Sequence, residues 1–151
     1  MIVNFFIDGD AFPNLLKPIV FKSIEKYGLN TYVIANKKID IGKSKYIEYI
    51  IVESGADRAD DLIVEMLKAN DLVITADIPL ADRVIAKDAL AIDHRGELYT
   101  EDNIKSYLAI RNLMQEIRDS GETTKGPAPF NQKDVHKFAS QLNNILYKNY
   151  K

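Results

Sequence analysis

The sequence contains no cysteine and no tryptophan, and only two histidines, His94 and His136. Without cysteine there is no disulfide, thiolate zinc centre, iron–sulfur cluster or cysteine nucleophile. Two histidines are too few for a histidine-rich metal site. Any metal must be held mainly by oxygen, which favours Mg²⁺, Mn²⁺ or Ca²⁺. No apolar run approaches the roughly 18 residues needed to span a bilayer. Residues Met1 to Asp8 carry no basic segment and no small-residue cleavage site, so they do not read as a signal peptide. The expectation is a cytoplasmic protein with no membrane partner. An excess of one charge is missing too. Lys and Arg number 20 against 22 Asp and Glu, a net charge of −2. That excludes a strongly basic nucleic-acid glove and an acidic tail alike. There is no GxGxxG, no Walker loop and no Ser/Cys–His triad.

What is present is the composition of a globular protein, 46% hydrophobic and 28% charged over 151 residues. One domain spanning 1–151 is expected, since a chain this long buries roughly 68–70% of its unfolded surface and needs no covalent staple. No repeat or low-complexity tract interrupts it. Short apolar runs alternate with helical patterns. Ile2–Ile7, Thr31–Ala35, Tyr46–Val52, Asp71–Thr75 and Ala89–Ile92 read as strands. Between them, helices are predicted from Pro18 to Gly28, over Ala56–Lys68 and over Ile78–Lys87, Pro being tolerated in a first turn. Thr100 is a suitable N-cap for a helix reaching Asp119. A loop at Ser120–Phe130 precedes a last helix over Gln132–Tyr147. Five strands alternating with helices predict an α/β three-layer sandwich with a mainly parallel sheet and Rossmann-like topology. The two C-terminal helices, with no strand between them, are expected to pack together on one side.

Ligands of such sheets bind at the carboxyl ends of the strands, near the point where strand order reverses. Acid follows the strands at that edge: Asp8 and Asp10 after the first, Asp57, Asp60 and Asp61 after the third, Asp77 and Asp82 after the fourth, Asp93 after the fifth. Carboxylates crowded together cannot all stay ionised without a cation among them. Mg²⁺ takes one or two carboxylates and keeps water positions open for phosphate oxygens; two ions would serve phosphodiester cleavage. Each acid also has a plainer reading. Asp77 fits an N-cap. Asp57, Asp60 and Asp61 suit the helix dipole, and Asp60 and Asp61 lie 100° apart on the helix, so they cannot point the same way. Asp10 fits a turn cap, Asp82 an exposed helix position, Asp93 a surface turn. Asp8 ends a buried central strand, where an uncompensated carboxylate is costly. Lys37, Lys38, Lys43 and Lys45 form a basic loop that either contacts a phosphate backbone or is simply solvated. Arg95 either binds a phosphate or pairs with a neighbouring Asp. His136 reads as exposed and Tyr99 as packing.

Four strings, Phe6-Ile-Asp8-Gly-Asp10-Ala11, Gly55-Ala-Asp57-Arg-Ala-Asp60-Asp61, Asp71-Leu-Val-Ile-Thr-Ala-Asp77-Ile-Pro-Leu-Ala81 and Arg95-Gly-Glu-Leu-Tyr-Thr100, resemble the YaiI/YqxD family of uncharacterised bacterial proteins. Gly126-Pro127 and Phe138-Ala-Ser-Gln-Leu142 fit the same pattern, so the resemblance covers almost the whole chain. Family members often have Asp-Ala-Asp-Ala-Cys-Pro where this chain reads Asp8-Gly-Asp10-Ala-Phe-Pro13; the acids are retained. The family looks PIN-like, and PIN-domain nucleases combine a parallel α/β sheet with an acidic metal site, most of them cutting RNA. The resemblance implies Asp8 as the first metal-ligating acid, Asp60 or Asp61 as the helical one and Asp77 as the third, with Asp82 nearby. The expected function is then a Mg²⁺- or Mn²⁺-dependent nuclease acting on RNA through one or two ions. Asp8, Asp60, Asp61 and Asp77 would hold metal, and Asp10 or Asp82 would position water or a second ion. Two other readings stay open: a non-catalytic PIN-like module binding RNA or protein, and a small-molecule phosphatase with an Asp nucleophile.

Overall fold

The strand Phe5–Asp8 (β1) is buried at every position, and the rest of the molecule is built outward from it. In the computed structural model, residues 4–53, 55, 57–123, 126 and 128–149 are described. After β1 and a short 3-10 turn come α1 (Lys17–Tyr27), β2 (Thr31–Ala35), β3 (Ile47–Ile51), α2 (Arg58–Met66), β4 (Leu72–Ile74), α3 (Ile78–Ala86), β5 (Leu90–Ile92), β6 (Leu98–Tyr99), α4 (Glu101–Asp119) and α5 (Gln132–Asn149). The sheet order is β3-β2-β1-β4-β5-β6. All pairings are parallel except β5 with β6. The chain is α/β, in agreement with the sandwich expected from the sequence, with a sixth strand added.

Side chains alternate across β1, as a strand requires. Phe5 and Ile7 enter one core layer, with Leu16, Val20 and Ile24 from the α1 side and Phe138, Leu142 and Leu146 of α5. Phe6 enters the other, with Ile63 of α2, Val84 of α3 and Ile104 of α4. The chain thus has a helical layer on each face. The expectation that the last two helices pack together is corrected here: α4 lies on the α2–α3 side and α5 on the α1 side. The reason is coverage. Only α1 precedes α5 on that face, and one helix leaves the apolar residues of β1 and β4 facing water. Carrying α5 across seals them.

The helix boundaries follow local chemistry. Gly28, at φ 61°, ends α1 in the left-handed conformation that glycine adopts without strain. Thr100 and Asn103 form a reciprocal capping box at the start of α4. Ile2 and Val3, expected to open the first strand, and Ser54 and Ala56 before α2, lie outside the described residues, as does Pro127. Among the described residues, no helix is long and apolar enough to cross a membrane.

Candidate active site

The strand order reverses between β1 and β4: from β1 the chain builds outward through β2 and β3, and from β4 in the opposite direction. A crevice forms outside the carboxyl ends of two such strands. Here it is a cleft of about 350 Å³ lined by Asp8, Asp10, Asp57, Asp60 and Asp77, together with Asn36, His94 and three alanines.

Asp8 is held rigidly. It is 7% exposed, and its Oδ2 accepts from the Thr75 hydroxyl at 2.8 Å. The Thr75 Oγ1 in turn accepts from the Asp77 N–H at 3.0 Å, so the hydroxyl proton is aimed at Asp8. Its Oδ1 accepts from the Asp10 N–H at 3.3 Å. Asp77 caps α3, Oδ1 taking the Leu80 N–H at 3.1 Å. Capping uses one oxygen and leaves the cleft side of the carboxylate available. Asp60, half-buried in the first turn of α2, completes the trio.

The electrostatics follow from crowding. Burial, then the charges of Asp10 and Asp77, raise the Asp8 carboxyl to about 6 against the bonds from Thr75 and Asp10. Burial and the charges of Asp77, Asp8 and Asp57 raise Asp60 to about 7, and a hydrogen bond with Asp77 adds to this. A proton on Asp60 relieves this crowding. A divalent cation would do the same work for all three groups. Among the described residues, no three acidic or imidazole groups are already drawn to metal-ligand spacing. A cation would pull the carboxylates inward or reach them partly through water, as Mg²⁺ ordinarily does. The donors fit a hard cation: they are oxygens, and the Asn36 Oδ1 beside them is buried without a hydrogen-bond partner.

Other lining residues shape the cleft. The Asp10 carboxylate accepts from the Asn36 N–H and Nδ2, both at 2.9 Å, latching the β1–α1 loop to the end of β2. Asp10 is thus a clamp as well as a wall. Ala11 and Asp57 both line the cleft at positive φ, 59° and 61°, a conformation that non-glycine residues adopt only under local constraint. His94 is buried in the cleft wall.

Several residues expected at the site lie elsewhere. Asp61 is largely exposed and paired with Arg83 at 2.9 Å, because a 100° turn of α2 carries it away from Asp60. Asp82 lines a different groove with Glu101 and Lys105. Arg95 is committed to α5 and its approach loop. Its guanidinium pairs with Asp134 at 2.8 Å, donates to the Ala128 carbonyl at 2.6 Å and covers the Phe130 ring. Lys38 and Lys43 line a groove at the β3 edge with Tyr49 and Ile51, while Lys45 sits over the Tyr46 ring. Lys37 is exposed and does not line the cleft. Asp93 accepts from the Arg95 and Glu97 N–H groups and caps the β5–β6 turn. Sequence reasoning missed Thr75 and Asn36, whose partners Asp8 and Asp10 are 67 and 26 residues away. The only available signal for Thr75 was a polar residue closing an apolar strand.

The model of the YaiI/YqxD family, described as uncharacterised, matches residues 6–148. A UPF0178 protein of Sulfurimonas denitrificans is 67% identical over 147 residues, 97% of each chain. One of Sulfurovum sp. is 65% identical over 97% of this chain and 99% of its own, and one of Marinomonas sp. is 46% identical over 95% and 97%. Among solved structures, the homospermidine synthase of Legionella pneumophila superposes on 96% of this chain and 38% of its own. The TM-score is 0.49 at 16% identity, too slight a likeness to bear on function. By the extent of the family match and the identity of these relatives, the chain belongs to the YaiI/YqxD family.

Proposed function

We propose that the cleft binds one or two Mg²⁺ or Mn²⁺ ions and hydrolyses phosphodiesters, with RNA as the substrate class. The observation that supports this is the meeting of Asp8, Asp60 and Asp77, from three separate elements, in one cleft where burial and neighbouring carboxylates disfavour the charges of Asp8 and Asp60. A bound divalent cation would supply charge neutralisation and Lewis-acid activation at phosphorus. The chain's own residues do the rest. Thr75 fixes the orientation of Asp8. The cap to Leu80 fixes Asp77. Asp60, with its carboxyl near 7 in the free site, releases its proton as a cation enters, so cation affinity rises with pH. Asp10 holds the loop wall in place. The choice of RNA comes from the PIN-like resemblance; among the described residues no Lys or Arg lines the cleft to read a phosphate backbone.

The phosphatase reading, with Asp8 as nucleophile, is disfavoured because both Asp8 oxygens already accept hydrogen bonds. Asp10, the acid two residues on, is occupied by Asn36.

The test is a calorimetric Mn²⁺ titration of the protein with Asp8→Asn and Asp77→Asn alongside, followed by hydrolysis of an oligoribonucleotide. Asn caps helices about as well as Asp, so Asp77→Asn keeps α3. Saturable binding weakened roughly 10–100-fold or more in each variant is expected, with cleavage abolished by chelator. Undiminished cleavage in both variants overturns the assignment. Binding of RNA without cation or cleavage would instead favour the non-catalytic module.

A further inference from the structure

His94 opens the turn after β5 with its side chain turned inward, 9% exposed. Its ring stands edge-on to Phe12, centroids 5.5 Å apart and planes at 85°. Phe12 therefore fixes the imidazole from behind, and the ring forms part of the cleft wall. The Nε2 is buried without a hydrogen-bond partner. Buried polar atoms are nearly always paired, and an orphan is costly. This nitrogen is satisfied when a ligand enters.

Two observations say which part of a ligand it meets. First, burial and then the charge of Arg95 hold the ring neutral. Asp8, Asp60 and Asp77 line the same cleft. The imidazole therefore enters the cleft wall as a neutral group in the company of three acids. Second, of the described residues that line the cleft only Asn36 and His94 carry a side-chain nitrogen, and the Asn36 Nδ2 already donates to Asp10. An anionic group bridging to the carboxylate side through a cation would find the imidazole as its side-chain donor.

We propose that His94 is a substrate-binding residue of this cleft, its imidazole donating Nε2–H to a non-bridging oxygen of a phosphodiester. The assignment rests on the phosphodiesterase reading of the cleft and extends it to the residue that holds the phosphoryl group. A neutral donor suits this position, since it binds phosphate without forming an ion pair with the carboxylates of the cleft.

The test uses the full chain, ¹⁵N-labelled, with Mg²⁺ at saturation and dimethyl phosphate as the probe. With two histidines in the sequence, the imidazole spectrum holds two rings, and exposed His136 on α5 is the internal reference. The expected result is a protonated Nε2 on His94, moved saturably by dimethyl phosphate while His136 stays still. His94→Gln, which keeps an N–H donor near that point, retains diester binding. His94→Phe, which keeps the packing on Phe12, loses it roughly tenfold or more. Mg²⁺ affinity is unchanged in both variants. A bare Nε2, a His94 signal that Mg²⁺ alone shifts as a metal ligand, or a ring unmoved by the diester while Mg²⁺ binds overturns the His94 assignment alone. Absence of Mg²⁺ binding in the unaltered protein overturns the phosphodiesterase reading and the His94 assignment with it.

Discussion

Asp8 and Asp60 are acids whose folded environment favours the proton, and this has a sign. Burial and neighbouring carboxylates lift them to about 6 and about 7 from the ordinary aspartate value of 3.8. The folded protein thus binds more protons than the unfolded chain between those values. Their contribution to stability is complete below about 3.8 and is lost as pH rises through about 6 and 7. His94 works in the opposite sense. Burial lowers it to about 4 from 6.5, so its contribution grows as pH rises across that interval. Two carboxylates outweigh one imidazole. The melting temperature of the cation-free protein is expected to fall between about pH 5 and pH 7.5. Asp60→Asn should flatten that fall, and millimolar Mg²⁺ should restore stability at the higher pH. Thermal unfolding by circular dichroism at several pH values, with and without Mg²⁺, reads all three. A melting temperature that rises over the interval, or an unaltered slope in Asp60→Asn, would show that carboxylate crowding does not govern the pH response.

At the scale of elements, the β5–β6 turn is where the site meets the C-terminal helix. Gly96 has φ 88°, and a Cβ there would lie 2.6 Å from the backbone carbon and oxygen of Lys137 in α5. Gly121 also has φ 88° but nothing within 4 Å. The pair separates two costs. Gly121→Ala should lose about 1–2 kcal/mol, the cost of a left-handed non-glycine residue. Gly96→Ala meets backbone as well, and should lose clearly more by pushing α5 off the turn. Denaturant unfolding of both variants makes the comparison, and equal losses would show that α5 is not seated there. The same region shows what sequence can convey. β2 was legible residue for residue as β-branched and aromatic, and α4 from its cap at Thr100. β6, two residues long, is too short to show a period. Helical periodicity marked an apolar face on α4 and on α5. It could not say which face of the sheet each would cover, because that depends on what the other helices leave open.

At the scale of the whole molecule, the strand order places Asp8 and Asp77 on either side of the reversal. The acids at strand ends were therefore readable before any coordinates. The choice between Asp60 and Asp61 was not, since it depends on the helix's rotation against the sheet, set by buried Ala59 and Ile63. Nor was the fate of the basic loop. That loop begins at Asn36, inside the cleft, and runs through Lys37 and Lys38 toward the β3 edge, where Lys38 and Lys43 border a groove. A polynucleotide seated in the cleft would leave it past these side chains, whereas a small diester would not reach them. The loop and the chemistry should therefore separate. Replacing Lys37, Lys38 and Lys43 by Gln should leave Mn²⁺ affinity and hydrolysis of bis-p-nitrophenyl phosphate unchanged. Binding of an oligoribonucleotide should weaken, with the salt dependence of log affinity falling by about 0.7 for each phosphate of the single strand that a lysine no longer neutralises. Fluorescence anisotropy at several salt concentrations measures that slope. An unchanged slope would assign these lysines to guarding the exposed β3 edge, a use that sheets commonly make of lysine. RNA, if bound, would then leave the cleft along another face.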